Sequence, residues 1–215
     1  MKQITFYLDF ISPYAYLAFE QLPQALQGLS YSVDYQPLLF AGLLKHHGQP
    51  GPAEIRPKRD WTYRQVLWLA QAHRIPLLMP QAHPFNPLPL LRLALACGGE
   101  GKINRFVAET VFRHVWRGGA DAADPVRLAA LAQTLGPVRD PASDAVKGEL
   151  KASADKAIAL GLFGVPSLLV DGKVFWGFDA LPMLRDYLEG GAWFASGQWE
   201  QAAAVPAGIR RSVKK

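Results

Sequence analysis

A single cysteine, Cys97, is all that the chain contains. One thiol permits neither an intrachain disulfide nor a two-thiol redox cycle, so disulfide oxidoreductase chemistry on its own cysteines is excluded. Cys97 lies in the apolar run LRLALACGG and is expected to be a small core residue near a helix C-terminus. Long apolar stretches are also missing. The most apolar one, residues 84–97, is broken by prolines, Asn86 and Arg92, so no segment is expected to span a bilayer. No secretory apolar region or small-residue cleavage site follows Met1, and the expected location is cytoplasmic, without a membrane partner. Metal-ligand spacing is lacking as well. His46 and His47 are adjacent and would point apart, and none of His73, His83 and His114 forms an i, i+4 pair around a carboxylate, so no metal is expected. The net charge is +5, yet Lys and Arg are scattered with no basic stripe or aromatic-basic module. That pattern speaks against nucleic acid and fits small anionic ligands. Only the tail, with Arg210, Arg211, Lys214 and Lys215, is locally basic, and it is expected to be a solvated terminus.

What the chain does have is concentrated at its two ends. Residues 4–11, ITFYLDFI, are rich in β-branched and aromatic side chains and nearly continuous in apolarity, which predicts a strand buried on both faces. Only Asp9 interrupts it. Ser12-Pro13 then marks a helix start, a hydroxyl that accepts from free amides followed by a residue with no amide to satisfy, and the helix is expected over 13–26. A serine delivered to a helix N-terminus is either a plain cap or the centre of a small site for an anion or thiolate. Far down the chain, GVPSLLVDGKVFWGFD predicts strands at 167–170 and 173–176 joined by Asp171-Gly172, a strong two-residue hairpin signal. A helix is expected from about 179 to 189. Val165-Pro166 precedes the hairpin, where a proline cannot donate into the ladder, and the position admits a cis bond.

Between the ends, YSVDYQP at 31–37 alternates as a second strand, parallel to the first. From about 42 to 161 the signals are helical. Helices are expected at 57–74, 87–96 with Asn86 as cap, 102–117, 125–134 with Asp124 as cap, and 143–160. At 215 residues and 50% hydrophobic content, the chain can bury a full core, as one large domain or as one domain carrying an insertion.

Strand, helix, strand at the front and proline, hairpin, helix at the back resemble a thioredoxin-like fold, an α/β domain formed by residues 1–41 and 162–190. The helical stretch 42–161 would then be an inserted all-helical domain and 191–215 a C-terminal extension. In redox relatives of that fold the first helix opens with Cys-x-x-Cys; here the positions read Ser12-Pro13-Tyr14-Ala15. Taken together, FYLDFISPYAYLA, HPFNPLPLLR, VFRHVW, LGLFGVPSLLVDG and FWGFDAL resemble the 2-hydroxychromene-2-carboxylate isomerases, which are related to kappa-class glutathione transferases and bacterial disulfide oxidoreductases. The resemblance covers about residues 3–190.

The resemblance implies a homodimer that binds glutathione between the two domains of each chain. It makes Ser12 catalytic, its hydroxyl and the helix dipole stabilising the thiolate that glutathione brings. Val165, before Pro166, would offer its backbone to the cysteinyl part. Gly177, Phe178 and Asp179 would receive the γ-glutamyl end, with Asp179 facing the ammonium, although Asp179 also reads as a plain cap. Lys58 and Gln49 are the candidates for the glycine end. Gln49 stands where many relatives carry Asn, and Trp61 and Gln65 stand where they commonly carry Tyr and Asp. For a small aromatic carboxylate substrate the candidates are Lys45, Asn86 and Arg92. The implied reaction interconverts 2-hydroxychromene-2-carboxylate and trans-o-hydroxybenzylidenepyruvate by thiolate addition, bond rotation and elimination. A kappa-like transferase and a non-catalytic thioredoxin-like binding module are the alternatives.

Overall fold

The computed structural model describes residues 1–206 and 208; the basic residues of the tail, Arg210, Arg211, Lys214 and Lys215, lie outside them. Four strands form one mixed sheet in the order β2-β1-β3-β4. β1 (Lys2–Leu8) runs parallel to β2 (Tyr31–Pro37) and antiparallel to β3 (Ser167–Val170), which pairs antiparallel with β4 (Lys173–Trp176). β2, β3 and β4 have the predicted bounds. β1 ends at Leu8 rather than at residue 11, because the Asp9 side chain accepts from the Ile11 amide and its carbonyl from the Ser12 amide, which turns the chain out of the ladder.

Between β1 and β2 lies α1 (Pro13–Ala25). The helical stretch comprises α2 (Phe40–His47), α3 (Arg56–Ala72), α4 (Leu88–Ala96), α5 (Arg105–Trp116), α6 (Pro125–Leu135) and α7 (Asp144–Ala159). Asp124 and Ser143 cap α6 and α7 by accepting from Arg127 N and Val146 N. α4 starts one residue later than predicted: Pro87 holds the cap position without a side-chain bond, and Asn86 Oδ1 accepts from Leu88 N. α5 starts at Arg105 because Asn104 is its cap, accepting from Val107 N. After β4, a short 3-10 turn (Phe178–Ala180) leads into α8 (Leu181–Leu188). The C-terminal segment adds α9 (Ala192–Ala195) and α10 (Gln198–Ala203).

Alternation along β1 sends its side chains to two cores. Ile4, Phe6 and Leu8 join the larger core with α1 and α5, while Tyr7 joins a smaller one with Leu38, Leu43, Ala157, Leu162 and Val165 on the opposite face. The larger core runs from the sheet into the inserted helices without a break. Phe112 meets Phe10 at 5.0 Å and Phe19 at 5.2 Å between ring centroids, and the buried Trp116 Nε1 donates to the Phe10 carbonyl at 2.9 Å. Cys97 stands just beyond the end of α4, partly buried, and burial pushes its thiol pKa up.

Candidate active site

The N-terminus of α1 meets the loop before β3. Ser12 is the N-cap of α1 and nearly buried, 7% exposed. Its Oγ accepts from Ala15 N at 3.2 Å and donates to the Val165 carbonyl at 3.3 Å. The bond between Val165 and Pro166 is cis, as is that between His83 and Pro84. Pro166 O in turn accepts from Gly177 N at 2.9 Å, tying the end of β4 to the same loop. Among the described residues, no hydrogen bond engages the Val165 amide. A donor left without a protein partner beside a helix N-terminus is suited to a ligand that brings its own carbonyl.

Three further groups hold this turn, and none was predicted as part of the site. Asp9 is fully buried; its Oδ1 accepts from Ile11 N at 3.2 Å and its Oδ2 from Phe40 N at 2.8 Å, so one carboxyl fastens both the Ser12 turn and the start of α2. Burial pushes its pKa up to about 7, against the pull of the amides that donate to it. His83 Nε2 lies 2.8 Å from the Ile11 carbonyl, which can only accept, so that nitrogen carries the proton; Nδ1 lies 2.8 Å from Tyr63 Oη. Burial lowers the His83 pKa and favours the neutral ring. The third is Tyr14, whose hydroxyl donates to Gln65 Oε1 at 2.6 Å and so links α1 to α3. Its pKa is raised by burial first, with the nearby Asp179 charge adding to it.

The sequence model of the DSBA-like thioredoxin domain matches residues 3–189. The chain belongs to this family. Curated relatives include a 2-hydroxychromene-2-carboxylate isomerase of Sphingobium xenophagum, 29% identical over 194 residues that cover 87% of this chain and 98% of that one. Another is glutathione S-transferase kappa 2 of Caenorhabditis elegans, 27% identical over 208 residues, 87% of this chain and 92% of that one. Among solved structures, a 2-hydroxychromene-2-carboxylate isomerase superposes with a TM-score of 0.73 at 23% identity, covering 93% of this chain and 98% of that one. The fold is therefore the DsbA-like one, a thioredoxin-like domain with a helical insertion.

Not all the predicted residues converge. Ser12, Val165, Pro166 and Gly177 are joined by the hydrogen bonds above. Asp179 is exposed and does not cap a helix; Gly177 Cα approaches it so closely that a Cβ there would lie 2.5 Å from Asp179 Oδ1. The Phe178 side chain is buried, its ring 5.0 Å from that of His73, and its carbonyl accepts from Leu181 N. Lys45 and Gln49 are exposed at the end of α2, which is fixed to the loop before β3 by His47 Nε2 at 3.0 Å from the Leu162 carbonyl. Lys58 is exposed near the start of α3, the helix that bonds Tyr14. Asn86 is exposed and occupied by its bond to Leu88 N. Arg92 is partly buried on α4, and among the described residues its Nε has no partner and no hydrogen bond connects it to the Ser12 turn. Surface hollows of about 300 Å³ between α5 and α6 and about 370 Å³ beside β2 contain none of these residues.

Proposed function

We propose that this protein is a glutathione-dependent isomerase that interconverts 2-hydroxychromene-2-carboxylate and trans-o-hydroxybenzylidenepyruvate. The observation that carries the reading is the Ser12 hydroxyl at the capped start of α1, within hydrogen-bond distance of Val165 O, in a chain whose one cysteine is elsewhere. The isomerase relatives support it. When bound, glutathione supplies a thiol whose anion can add reversibly to a conjugated carbon.

The residues present fit such a ligand. Ser12 Oγ already accepts from Ala15 N, so its own proton is free to turn from the Val165 carbonyl to a sulfur anion. The α1 dipole favours negative charge at the same point. Val165 offers an unengaged amide to an extended peptide, and Asp179 offers an exposed carboxylate to an ammonium group. Lys58 and Gln49 are proposed for the glycine end, and Lys45, Asn86 and Arg92 for the substrate carboxylate. Cytoplasmic, homodimeric operation belongs to the same proposal.

The test is the absorbance change of 2-hydroxychromene-2-carboxylate with purified protein, with and without glutathione. Turnover that needs glutathione is expected; no turnover in either sample would overturn the isomerase reading. A second reading, a kappa-like transferase, is favoured by the 27% identity to the Caenorhabditis protein. A stable glutathione conjugate among the products would select it.

A further inference from the structure

Two large aromatic side chains, each within two residues of a group that ties the loop before β3 to its surroundings, are left in water. Trp176, the last residue of β4, is 52% exposed, and Phe163, in the loop before Val165, is 41% exposed. Their ring centroids are 4.7 Å apart with planes inclined by 58°, an arrangement that aromatic quadrupoles favour over a face-to-face sandwich. Both are anchored to the site through one or two residues of backbone. Phe163 precedes Val165, the acceptor of the Ser12 hydroxyl, by two positions, and Trp176 is followed by Gly177, the donor to Pro166.

The chain makes room for this pair. A Cβ on Gly164 would lie 2.4 Å from Trp176 Nε1 and 3.1 Å from its Cε2. Gly164 does not have a positive φ, so what glycine provides there is space for the indole to lie against the backbone. Exposed rings gain little from water, and a pair held in place at the rim of a site is a preformed surface for a flat apolar group. Next to it, the His47–Leu162 contact fixes the basic end of α2, with exposed Lys45, against the residue that precedes Phe163. An aromatic face adjoining a cationic helix end matches the chemistry of an aromatic carboxylate.

We propose that Phe163 and Trp176 form the wall on which the ring of the aromatic substrate stacks and that they set its specificity. The proposal rests on the glutathione-dependent reading above and adds the place of the second substrate. Trp176→Ala is expected to raise KM for 2-hydroxychromene-2-carboxylate about tenfold with kcat changed less than about twofold. Trp176→Phe restores most of the loss. Gly164→Ala, which displaces the indole, raises KM in the same direction. The dissociation constant of glutathione alone, from titration calorimetry, stays within about twofold of wild type. An unchanged KM in Trp176→Ala overturns the proposal, and so does a parallel weakening of glutathione, which would put the pair in the thiol site.

Failure of the isomerase reading is separable from failure of the wall. Cinnamate, a non-reacting aromatic carboxylate, is titrated into the glutathione-loaded wild type and into Trp176→Ala. Binding weakened about tenfold in the variant supports the wall even where no isomerisation occurs. Equal affinity in the two proteins overturns it.

Discussion

Ser12 has one proton and two oxygen-directed partners, and its chemistry depends on which it serves. Capping uses only the lone pairs of Oγ, toward Ala15 N, and leaves the proton for Val165 O or for a bound anion. Removing the hydroxyl should therefore separate two effects. Ser12→Ala is expected to lower stability by only about 1 kcal/mol, the usual loss of a serine cap, while glutathione-dependent turnover falls about 100-fold, as for the loss of one anion-stabilising donor. Urea unfolding and steady-state rates measured on the same preparation test this; comparable rates in the two proteins would remove Ser12 from the chemistry. Asp9 yields a prediction in pH. Its folded pKa of about 7 stands above the ordinary value near 3.9 of an unfolded chain, so the folded protein holds a proton that the unfolded one releases. The stabilisation is complete below about pH 4 and is lost as pH rises through about 7, an amount on the order of 4 kcal/mol. Asp9→Asn cannot ionise, so its urea midpoint should lack that decline between pH 4 and 7. Identical pH slopes for the two proteins would show that the carboxyl is already ionised in the fold.

At the scale of elements, the end of β4 is the most constrained. Gly177 has φ +98° and ψ 166°, a region open essentially to glycine alone. Gly177→Ala is expected to cost roughly 1–3 kcal/mol and, by pushing on Asp179, to weaken glutathione binding about tenfold; calorimetric titration and thermal unfolding measure the two. This hairpin was legible in the sequence because Asp171-Gly172 leaves little choice, and both residues adopt the positive φ that such a turn requires. α2 was not resolved as an element, since its cap position is Leu39 and no side chain announces its start. α9 and α10 were missed for the same reason, being short and begun by glycines. Within the site, Ser12 and Val165-Pro166 were readable as local motifs, whereas Gly177 entered only through the family resemblance. The Asp9–Phe40, His83–Ile11 and Tyr14–Gln65 contacts were not readable, because each joins residues brought together only by folding. A lone acid in an apolar strand was the signal for Asp9. The departure at Gln65 acquires a physical meaning only beside Tyr14.

On the scale of the whole molecule, the C-terminal segment folds back onto its own sheet. Phe175, 1% exposed, meets Tyr187 at 5.6 Å, Phe194 at 6.0 Å and Trp199 at 5.6 Å, and Lys173 pairs with Glu200 at 2.9 Å. Ending the chain after Gly190 should uncover Phe175 and cost about 3 kcal/mol of stability, from the aromatic area returned to water. The truncated protein should also bind more of a dye that reports exposed apolar surface; unchanged stability would show that α9 and α10 contribute nothing to the fold.

The pairing of Thr5 with Leu169 and Phe6 with Leu168 has a consequence in time. β1, α1 and β2 leave the ribosome well before β3, and until β3 is made one side of β1 has no strand to bond. At about 5–20 residues per second the wait is on the order of ten seconds. Throughout it, the nascent chain carries an apolar strand with an open edge, a surface that invites wrong pairing or a chaperone. The inserted helices, made during that interval, can bury Phe10 and Phe19 against Phe112 before the sheet is complete. Synthesis order thus gives the insertion a second task, as a temporary cover for the half of the domain that precedes it.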